Sequence, residues 1–332
     1  MTDYDSMVSR ADPLAAGLIP TEYSKSIIKE ATKASICLSR MRKMPDIPAS
    51  VLSIPVLDSK PTAYFTGAEA GDASGNTYDE GLMKATYAEW ANVTITAEEL
   101  GVILPISKAV LKDMKANGYD VWGELKPELI EAIAVAIDAA ILHGTDKPTS
   151  WPAGIVTDAT SKSHTVALGT GADMYDDLMS EDGVFSLVEA DGYRVTDWIA
   201  DISLKSRFRG LRTTDGIPIF TFPAAGETAY RLDGIPGEFP ENGALSAAAA
   251  LLIAGDFSKG VYAWRQGIEF DMSDQAVITD GSANIIRNLW QQNMIAMKVT
   301  CRLGWARPNP VNRVQGTGAN RYPWAVLTPA VG

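Results

Sequence analysis

Three observations predict an α+β protein that is built around one long helix and has more than one domain. Apolar side chains recur four residues apart between Leu129 and Ile141, which is the pattern of a helix with one buried face. Upstream of this helix the chain alternates like strands, and after residue 173 helix-like and strand-like segments follow one another. The length of 332 residues allows one large domain or two or three smaller ones. We therefore expect a second α/β domain downstream of the long helix.

The composition is that of an ordinary soluble protein and opposes two classes of function. Hydrophobic residues make up 46% and charged residues 21% of the chain. The 41 acidic residues outnumber the 29 basic ones, whereas a basic face is the usual mark of nucleic-acid binding. No window approaches the roughly 20 apolar residues of a membrane span, and no signal peptide is visible. We expect an intracellular chain without sequence-specific nucleic-acid binding, whose two cysteines, Cys37 and Cys301, are free and buried.

The first 43 residues predict a polar arm followed by a helix. Residues 1–20 are polar, and Thr21 is placed to cap a helix over Thr21–Lys43 whose apolar positions recur at three and four. Arg40, Arg42 and Lys43 suit the C-terminal end of that helix, where the helix dipole favours cations.

A long hairpin is predicted next. Residues 51–57 read as a strand whose Pro55 confines it to an edge of a sheet. Residues 58–86 are polar and rich in glycine, and the chain then alternates again as a strand over 86–97. Because a long polar excursion is unusual inside a compact domain, we expect it to act outside the subunit.

The clearest element is a helix over Tyr119–Leu142, preceded by a short helix over Ser107–Lys115. In the long helix, Pro127 is tolerable near the first turn, and otherwise the helix begins a turn later. The sequence predicts that four acidic side chains of this helix face solvent, namely Glu124, Glu128, Glu131 and Asp138.

The rest of the chain predicts alternating helices and strands. Helices are expected at 175–188 and 195–210, and strands at 217–222 and 249–254. Strand-like segments follow at 261–281, 292–305 and 324–327.

No catalytic, cofactor-binding or metal-binding residue is predicted. Of the two histidines, His143 lies at the end of the long helix, where a cationic imidazole suits the dipole, and His164 is also expected to be structural. No zinc-protease, nucleophile-elbow or phosphate-binding-loop motif occurs. Asp271, Asp274 and Asp280 lack the spacing of a calcium loop. We therefore expect a protein that is not an enzyme.

Five short patterns occur in a definite order along the chain. They are Leu18-Ile-Pro-Thr-Glu22, Gly67-Ala-Glu69, Ala140-Ile-Leu-His-Gly144, Leu211-Arg-Thr-Thr-Asp-Gly-Ile-Pro218 and Gly255-Asp-Phe-Ser-Lys-Gly-Val-Tyr262. With the order of arm, hairpin, long helix and second domain, they make the chain resemble the major capsid proteins of tailed bacteriophages, which have the Hong Kong 97 fold. The likeness covers nearly the whole chain.

The resemblance implies a division into regions and a function. It implies copies that assemble into hexamers and pentamers of an icosahedral shell around a double-stranded DNA genome, and the alternative is the shell of an encapsulin nanocompartment, which has the same fold. The regions would be an N-terminal arm (1–52), an extended loop (53–86), a peripheral domain (87–172 and 268–312) with a spine helix at about 119–143, and an axial domain (173–267 and 313–332).

The resemblance also implies partners and contact residues. The partners would be other copies of the chain, with separate scaffolding, portal and decoration proteins, in a virion assembled in the host cytoplasm and without a membrane. The capsid-like region begins within about 20 residues of Met1, which favours a separate scaffold or a mature chain. The residues expected to contact neighbouring copies are Glu69, Asp72, Asn76 and Tyr78 in the loop and Arg40, Arg42 and Lys43 in the arm.

One departure from the founding member of the family concerns covalent cross-linking, which there joins a lysine of the extended loop to an asparagine. In this chain Lys60 and Lys84 flank the loop, and its tip from Glu69 to Asp79 contains no lysine. We therefore expect a shell without covalent cross-links.

Overall fold

The computed structural model describes residues 35–63, 85–116, 121–212, 216, 218, 220–221, 230–280, 282–316 and 321–330. In this part of the chain two sheets pack against one long helix, and two hairpins pack against the four-stranded sheet. The helices are α1 (Ile36–Arg40), α2 (Lys108–Ala116), α3 (Val121–Leu142), α4 (Ile155–Ser161), α5 (Met174–Met179), α6 (Val184–Ala190) and α7 (Lys205–Phe208).

The long helix is present as predicted, with Pro127 inside it. Its 22 residues rise about 1.5 Å each, so α3 spans roughly 33 Å. Leu129, Ile133, Ile137 and Ile141 are all buried, which confirms the predicted apolar stripe. The suggestion that the helix begins a turn later because of Pro127 is wrong, since the buried stripe beyond the proline outweighs one lost backbone hydrogen bond. No helix in the described part of the chain is long and apolar enough to cross a membrane.

A four-stranded sheet lies against the long helix. Its strands run in the order β1, β11, β14, β4, with β1 parallel to β11 and the other pairs antiparallel. Phe270 and Met297 on its inner face share one apolar cluster with Ile137. The outer face carries two ion pairs, Lys298 with Asp271 and Arg302 with Glu99. The strands are β1 (Arg42–Lys43), β4 (Glu98–Ser107), β11 (Val261–Ser273) and β14 (Met294–Ala306).

The second sheet has seven strands. Its order is β5, β15, β10, β6, β9, β8, β7. One face packs against α5, α6 and α7, while Ile253 and Trp324 on the other face belong to the same cluster as Ile141 of α3. The two sheets therefore share a continuous core. The strands are β5 (Thr165–Ala167), β6 (Asp197–Ala200), β7 (Phe220–Thr221), β8 (Tyr230–Leu232), β9 (Ile235–Glu238), β10 (Leu252–Gly255) and β15 (Trp324–Thr328).

Two hairpins extend from these sheets. The extended hairpin consists of β2 (Val51–Ser59) and β3 (Glu89–Thr96), and the short hairpin consists of β12 (Val277–Thr279) and β13 (Ile285–Asn288). The predicted strands on both sides of the glycine-rich segment are confirmed, and Pro55 lies in a two-stranded ladder as expected. Residues 64–84, which include the predicted tip from Glu69 to Asp79, lie outside the described residues.

The helix predicted over Thr21–Lys43 ends earlier than expected. Residues 21–34 lie outside the described part, and α1 ends at Arg40. Arg42 and Lys43 form β1 instead of a last helical turn, because the edge of β11 accepts them: the Arg42 amide donates to the Gly260 carbonyl at 2.9 Å.

The helix predicted over 195–210 is wrong in its first half. Asp197–Ala200 is strand β6, and Trp198, Ile199 and Ala200 are all fully buried. Consecutive buried apolar residues suit either a buried helix or a central strand, and here pairing with β9 on one side and β10 on the other makes them a strand. Only α7, after a single 3₁₀ turn, is helical.

The helix predicted over 175–188 is two helices, α5 and α6. Gly183 separates them, and a Cβ atom there would lie 2.7 Å from the carbonyl carbon of Leu178. The chain therefore makes a tight turn at Gly183, and the spacing of apolar residues gives no sign of that turn.

The sheets divide the chain at slightly different residues from the predicted domains. Thr165–Ala167 belongs to the seven-stranded sheet through β15, although it was expected in the peripheral domain. The first half of β11, from Val261, belongs to the four-stranded sheet, although it was expected in the axial domain. In each case strand pairing extends across a boundary that the resemblance implies.

Candidate functional site

The buried carboxylate of Asp138 joins the end of the arm to the long helix. Its Oδ1 accepts hydrogen bonds from the Ser35 hydroxyl (2.6 Å) and the Cys37 amide (3.1 Å). Its Oδ2 accepts from the Ile36 amide (3.0 Å) and the Asn242 side-chain amide (3.0 Å). The carboxylate therefore meets the free amides at the start of α1 and also reaches the loop before β10.

The expectation that Asp138 faces solvent is wrong. The side chain is fully buried, since α1 and the Asn242 loop cover this side of the helix. Burial raises the pKa of Asp138, and the hydrogen bonds from Ser35, Ile36 and Cys37 oppose that rise. Four donors around one carboxylate indicate a structural joint rather than a catalytic acid.

Arg40 fixes the other end of α1 to the seven-stranded sheet. Its Nε lies 2.5 Å from Asp197 Oδ2 on β6, and its Nη2 lies 2.8 Å from Glu238 Oε2 on β9. Burial acts to lower the pKa of Arg40, but Asp197 and Glu238 together raise it above its usual value. One short helix thus connects the long helix to the second sheet.

The predicted contact residues of the arm point in different directions. The Arg40 side chain turns into the subunit, whereas Arg42 and Lys43 are exposed on the edge strand β1. Lys43 lies 3.4 Å from Asp46, and both side chains are at least half exposed, so the pair constrains neither group strongly. Glu69, Asp72, Asn76 and Tyr78 lie outside the described residues.

Exposed apolar side chains concentrate on the two hairpins. On and beside the extended hairpin, Tyr87 is 78% and Trp90 is 68% exposed. On and beside the short hairpin, Ile285 and Trp290 are each 68% exposed, and Ile286 is 51% exposed. Large apolar groups on protruding elements are typical of surfaces that another chain covers.

The apolar surface of the short hairpin was missed by sequence reasoning. The sequence predicts a strand over 261–281, and Ile285-Ile286 between polar residues is the signal that could have indicated the apolar surface. The three nearby acids are engaged separately: Asp271 with Lys298, Asp274 with Lys108, and Asp280 with its own turn at Ser282 and Asn284. Across the described residues, no group of three histidine, cysteine or acidic side chains is placed to hold a metal ion.

The two histidines and the two cysteines make contacts that stabilise the fold. His143 Nε2 accepts a hydrogen bond from the Ser246 amide at 3.0 Å, which fits the expected structural role, and burial lowers the pKa of the ring. His164 Nε2 lies 3.2 Å from Asp191 Oδ2, and its ring meets Tyr322 edge to face. Cys37 and Cys301 are free and buried, as predicted, and burial raises the pKa of Cys301 to about 12.

Comparison with known proteins gives consistent matches over most of the chain. The model of the Phage capsid family matches residues 15–310. The probable major capsid protein of Mycobacterium phage D29 is 27% identical over 306 residues, which cover 90% of this chain and 89% of that protein. The major capsid protein of Staphylococcus phage 80alpha is 25% identical and covers 86% of this chain and 80% of its own length.

Solved structures agree with the sequence matches. A chain from Microbacterium phage Oxtober96 is similar with a TM-score of 0.72 and 28% identity, over 89% of this chain and 91% of that one. A chain from Mycobacterium phage Adephagia is similar with a TM-score of 0.71 and 27% identity, over 90% and 91% of the two chains. These likenesses and the mixed sheets and helices confirm the predicted α+β class.

Proposed function

Since the chain belongs to the phage capsid family, we propose that it is the major capsid protein of a tailed phage. In this proposal its copies assemble into hexamers and pentamers of an icosahedral shell around a double-stranded DNA genome. The observation that carries the proposal is the match to the family over residues 15–310, together with relatives of similar length that are named major capsid proteins.

The shell of an encapsulin is the alternative that shares the fold. The curated relatives are proteins of phages, and so are the solved chains of higher TM-score. These relatives favour a phage capsid, which encloses a genome, over an encapsulin, which encloses enzymes. The net charge of −12 also suits a wall that does not grip the DNA within it.

The exposed elements support contacts with neighbouring copies. The extended loop (53–86) and the arm (1–52) would contact other subunits, the peripheral domain would hold the four-stranded sheet, and the axial domain would hold the seven-stranded sheet. Glu69 and Asp72 in the loop carry charges opposite to those of Arg42 and Lys43, which are exposed on β1. We assign these four residues to a contact between copies, with Asn76 and Tyr78 beside them.

The protein is proposed to act as a structural component of the virion and not as an enzyme. Its other partners would be separate scaffolding, portal and decoration proteins, and assembly would take place in the host cytoplasm. Because the tip of the loop contains no lysine, noncovalent contacts would hold the shell.

Electron microscopy of particles formed by the full chain tests the proposal. We expect closed shells built from fivefold and sixfold capsomers, and a single monomer band after boiling and reduction on a denaturing gel. The double variant Arg42→Glu with Lys43→Glu should form fewer shells, whereas Arg265→Glu, an exposed arginine on β11, should form as many as the parent chain.

Three results would contradict parts of this scheme. A chain that stays monomeric under all assembly conditions would exclude a shell protein. Shells that enclose a cargo enzyme, in place of particles with a portal and DNA, would favour the encapsulin. A ladder of multimers on the denaturing gel would show covalent cross-links.

A further inference from the structure

The segment 309–315, here called the strap, contacts both the extended hairpin and the seven-stranded sheet. It follows β14 and leads toward β15. The Val311 amide donates to the Leu57 carbonyl of β2 at 3.0 Å, and Arg313 Nη2 donates to the Pro61 carbonyl at 3.0 Å. The strap therefore holds the hairpin at two points, one within β2 at Leu57 and one at Pro61, just beyond the end of that strand.

These two points lie farther out than the apolar base of the hairpin. Ile95, at the base, is packed with Ala263 and Ala306 of the four-stranded sheet, and Leu52 and Ile54 pack against that cluster. Leu57 is three positions beyond Ile54, and at about 3.4 Å per residue this is roughly 10 Å along the strand. A contact at that distance from the base restrains the orientation of the hairpin and also helps to attach it.

The strap is fixed to the seven-stranded side of the molecule. Asn312 Nδ2 donates to the Asp191 carbonyl at 2.6 Å, and Asn312 Oδ1 accepts from the amides of Val314 and Gln315. Gly192 has a φ of +75°, and a Cβ atom there would lie 2.7 Å from the Val314 side chain. A glycine is therefore required where the strap crosses the turn after α6.

Arg321 grips both ends of the strap. The side chain is buried, with Nη2 donating to the Asn309 carbonyl at 2.9 Å and Nη1 donating to the Gln315 carbonyl at 2.8 Å. Its Nε also donates to Asn309 Oδ1, which accepts from the Tyr193 hydroxyl at 2.6 Å. A planar guanidinium can bridge two carbonyls held at a set separation, which a lysine cannot do.

We propose that Arg321 is a positioning residue that acts through the strap to set the direction in which the extended hairpin leaves the subunit. The strap thereby couples the seven-stranded sheet to the contacts that the hairpin makes with a neighbouring copy. The second statement rests on the proposed shell function, and the first concerns the single subunit alone.

Distance measurements by pulsed electron paramagnetic resonance on unassembled full-length chain test the first statement. Spin labels are placed on exposed positions of β3 and α6 through Asn92→Cys and Glu189→Cys, since native Cys37 and Cys301 are buried. We expect one narrow distance distribution for the parent chain. Arg321→Lys should at least double its width, and Arg313→Ala, which removes only the outer contact, should widen it less.

Controls separate positioning from loss of folding. Arg313→Lys retains a donor for the Pro61 carbonyl and should restore the narrow distribution, and Arg265→Ala on the four-stranded sheet should leave it unchanged. Arg313 is exposed, so its variants keep the test decisive even if Arg321→Lys does not fold. Unchanged widths in folded strap variants would overturn the positioning role.

Electron microscopy of the same variants tests the coupling. Strap variants should give a broader range of shell diameters or fewer closed shells than Arg265→Ala. If widths increase but shells are unaltered, the coupling is overturned while the positioning stands. If the parent chain forms no shells, the proposed function fails, and the distance measurement still decides the role of Arg321.

Discussion

The centre of the seven-stranded sheet, where β10 pairs antiparallel with β6 and β15, and the antiparallel extended hairpin are covered differently. All four residues of β10 are buried between β6 and β15, with helices on one face and the core of the long helix on the other. Most residues of β2 and β3 are exposed or half-buried. A two-stranded ladder has little stability by itself. The difference shows that the sheet stabilises the subunit, while the hairpin depends on its base, the strap and, in the proposed shell, a neighbouring copy.

The largest effect that would sharpen this comparison is expected from a pair of tryptophan substitutions. Trp198 on β6 is fully buried among Phe208, Phe220 and Phe239, with ring centroids 5.4 to 6.4 Å away. Trp198→Ala should lower the free energy of unfolding by about 3–5 kcal/mol, because the cavity adds to the lost burial. Urea unfolding of the unassembled subunit measures it.

The matched control is Trp290→Ala beside the short hairpin. Trp290 is 68% exposed, so the change in the free energy of unfolding should stay within about 0.5 kcal/mol. Equal losses for the two variants would mean that the exposed tryptophan belongs to the core of the subunit, and the comparison would break.

A smaller effect is expected at the joint between the arm and the long helix. Asp138→Ala leaves the Ile36 and Cys37 amides and the Asn242 side chain without their buried acceptor, which should cost about 2–4 kcal/mol. Asp138→Asn should cost less, because its carbonyl oxygen still accepts from one side. Thermal and urea unfolding report the losses.

Glu131→Ala on the exposed side of the same helix is the control for Asp138. It should change the free energy of unfolding by less than about 0.5 kcal/mol. A loss at position 131 comparable to that at 138 would show that the effect does not depend on the buried hydrogen bonds of the Asp138 carboxylate, since alanine itself favours the helix at both positions.

The smallest effect concerns acid pH at His143. Burial lowers its pKa in the folded state below the ordinary value of 6.5, so the neutral ring is favoured by folding. Its contribution to stability is complete above pH 6.5 and is lost as the pH falls toward the folded-state pKa. The parent chain should therefore lose more stability than His143→Gln between pH 7.5 and 5.5. Parallel losses in the two chains would exclude this linkage.

The sequence predicted the parts of the fold whose signal is local. The stripe from Leu129 to Ile141 predicted the long helix, and alternation predicted β11 and β14 of the four-stranded sheet and both strands of the extended hairpin. The helix predicted over 195–210 is wrong in its first half. Trp198, Ile199 and Ala200 are consecutive and apolar, and this pattern occurs both in central strands and in buried helices. Only the neighbouring strands β9 and β10, which lie more than 35 residues away, decide between them.

The contacts at the candidate site depend on residues far apart in sequence. From the helix pattern alone, Asp138 is predicted to be exposed. It is buried because a segment that includes Ser35, 103 positions earlier in the sequence, packs over it. Arg40 was selected for a contact between copies, but Glu238, 198 positions later, engages it inside the subunit. Charge and periodicity identify these residues as candidates for polar contacts. Their hydrogen-bond and ion-pair partners depend on how the helices and sheets pack together.

The distribution of tryptophans gives the molecule two optical environments. Trp198, Trp305 and Trp324 are buried in the core, whereas Trp90 and Trp290 are exposed on or beside the hairpins. Indole emission shifts to shorter wavelength when water leaves the ring, so a process that covers only the hairpins alters a separable part of the spectrum. The native chain thus carries its own fluorescent reporter of association, readable in real time without a dye or a label.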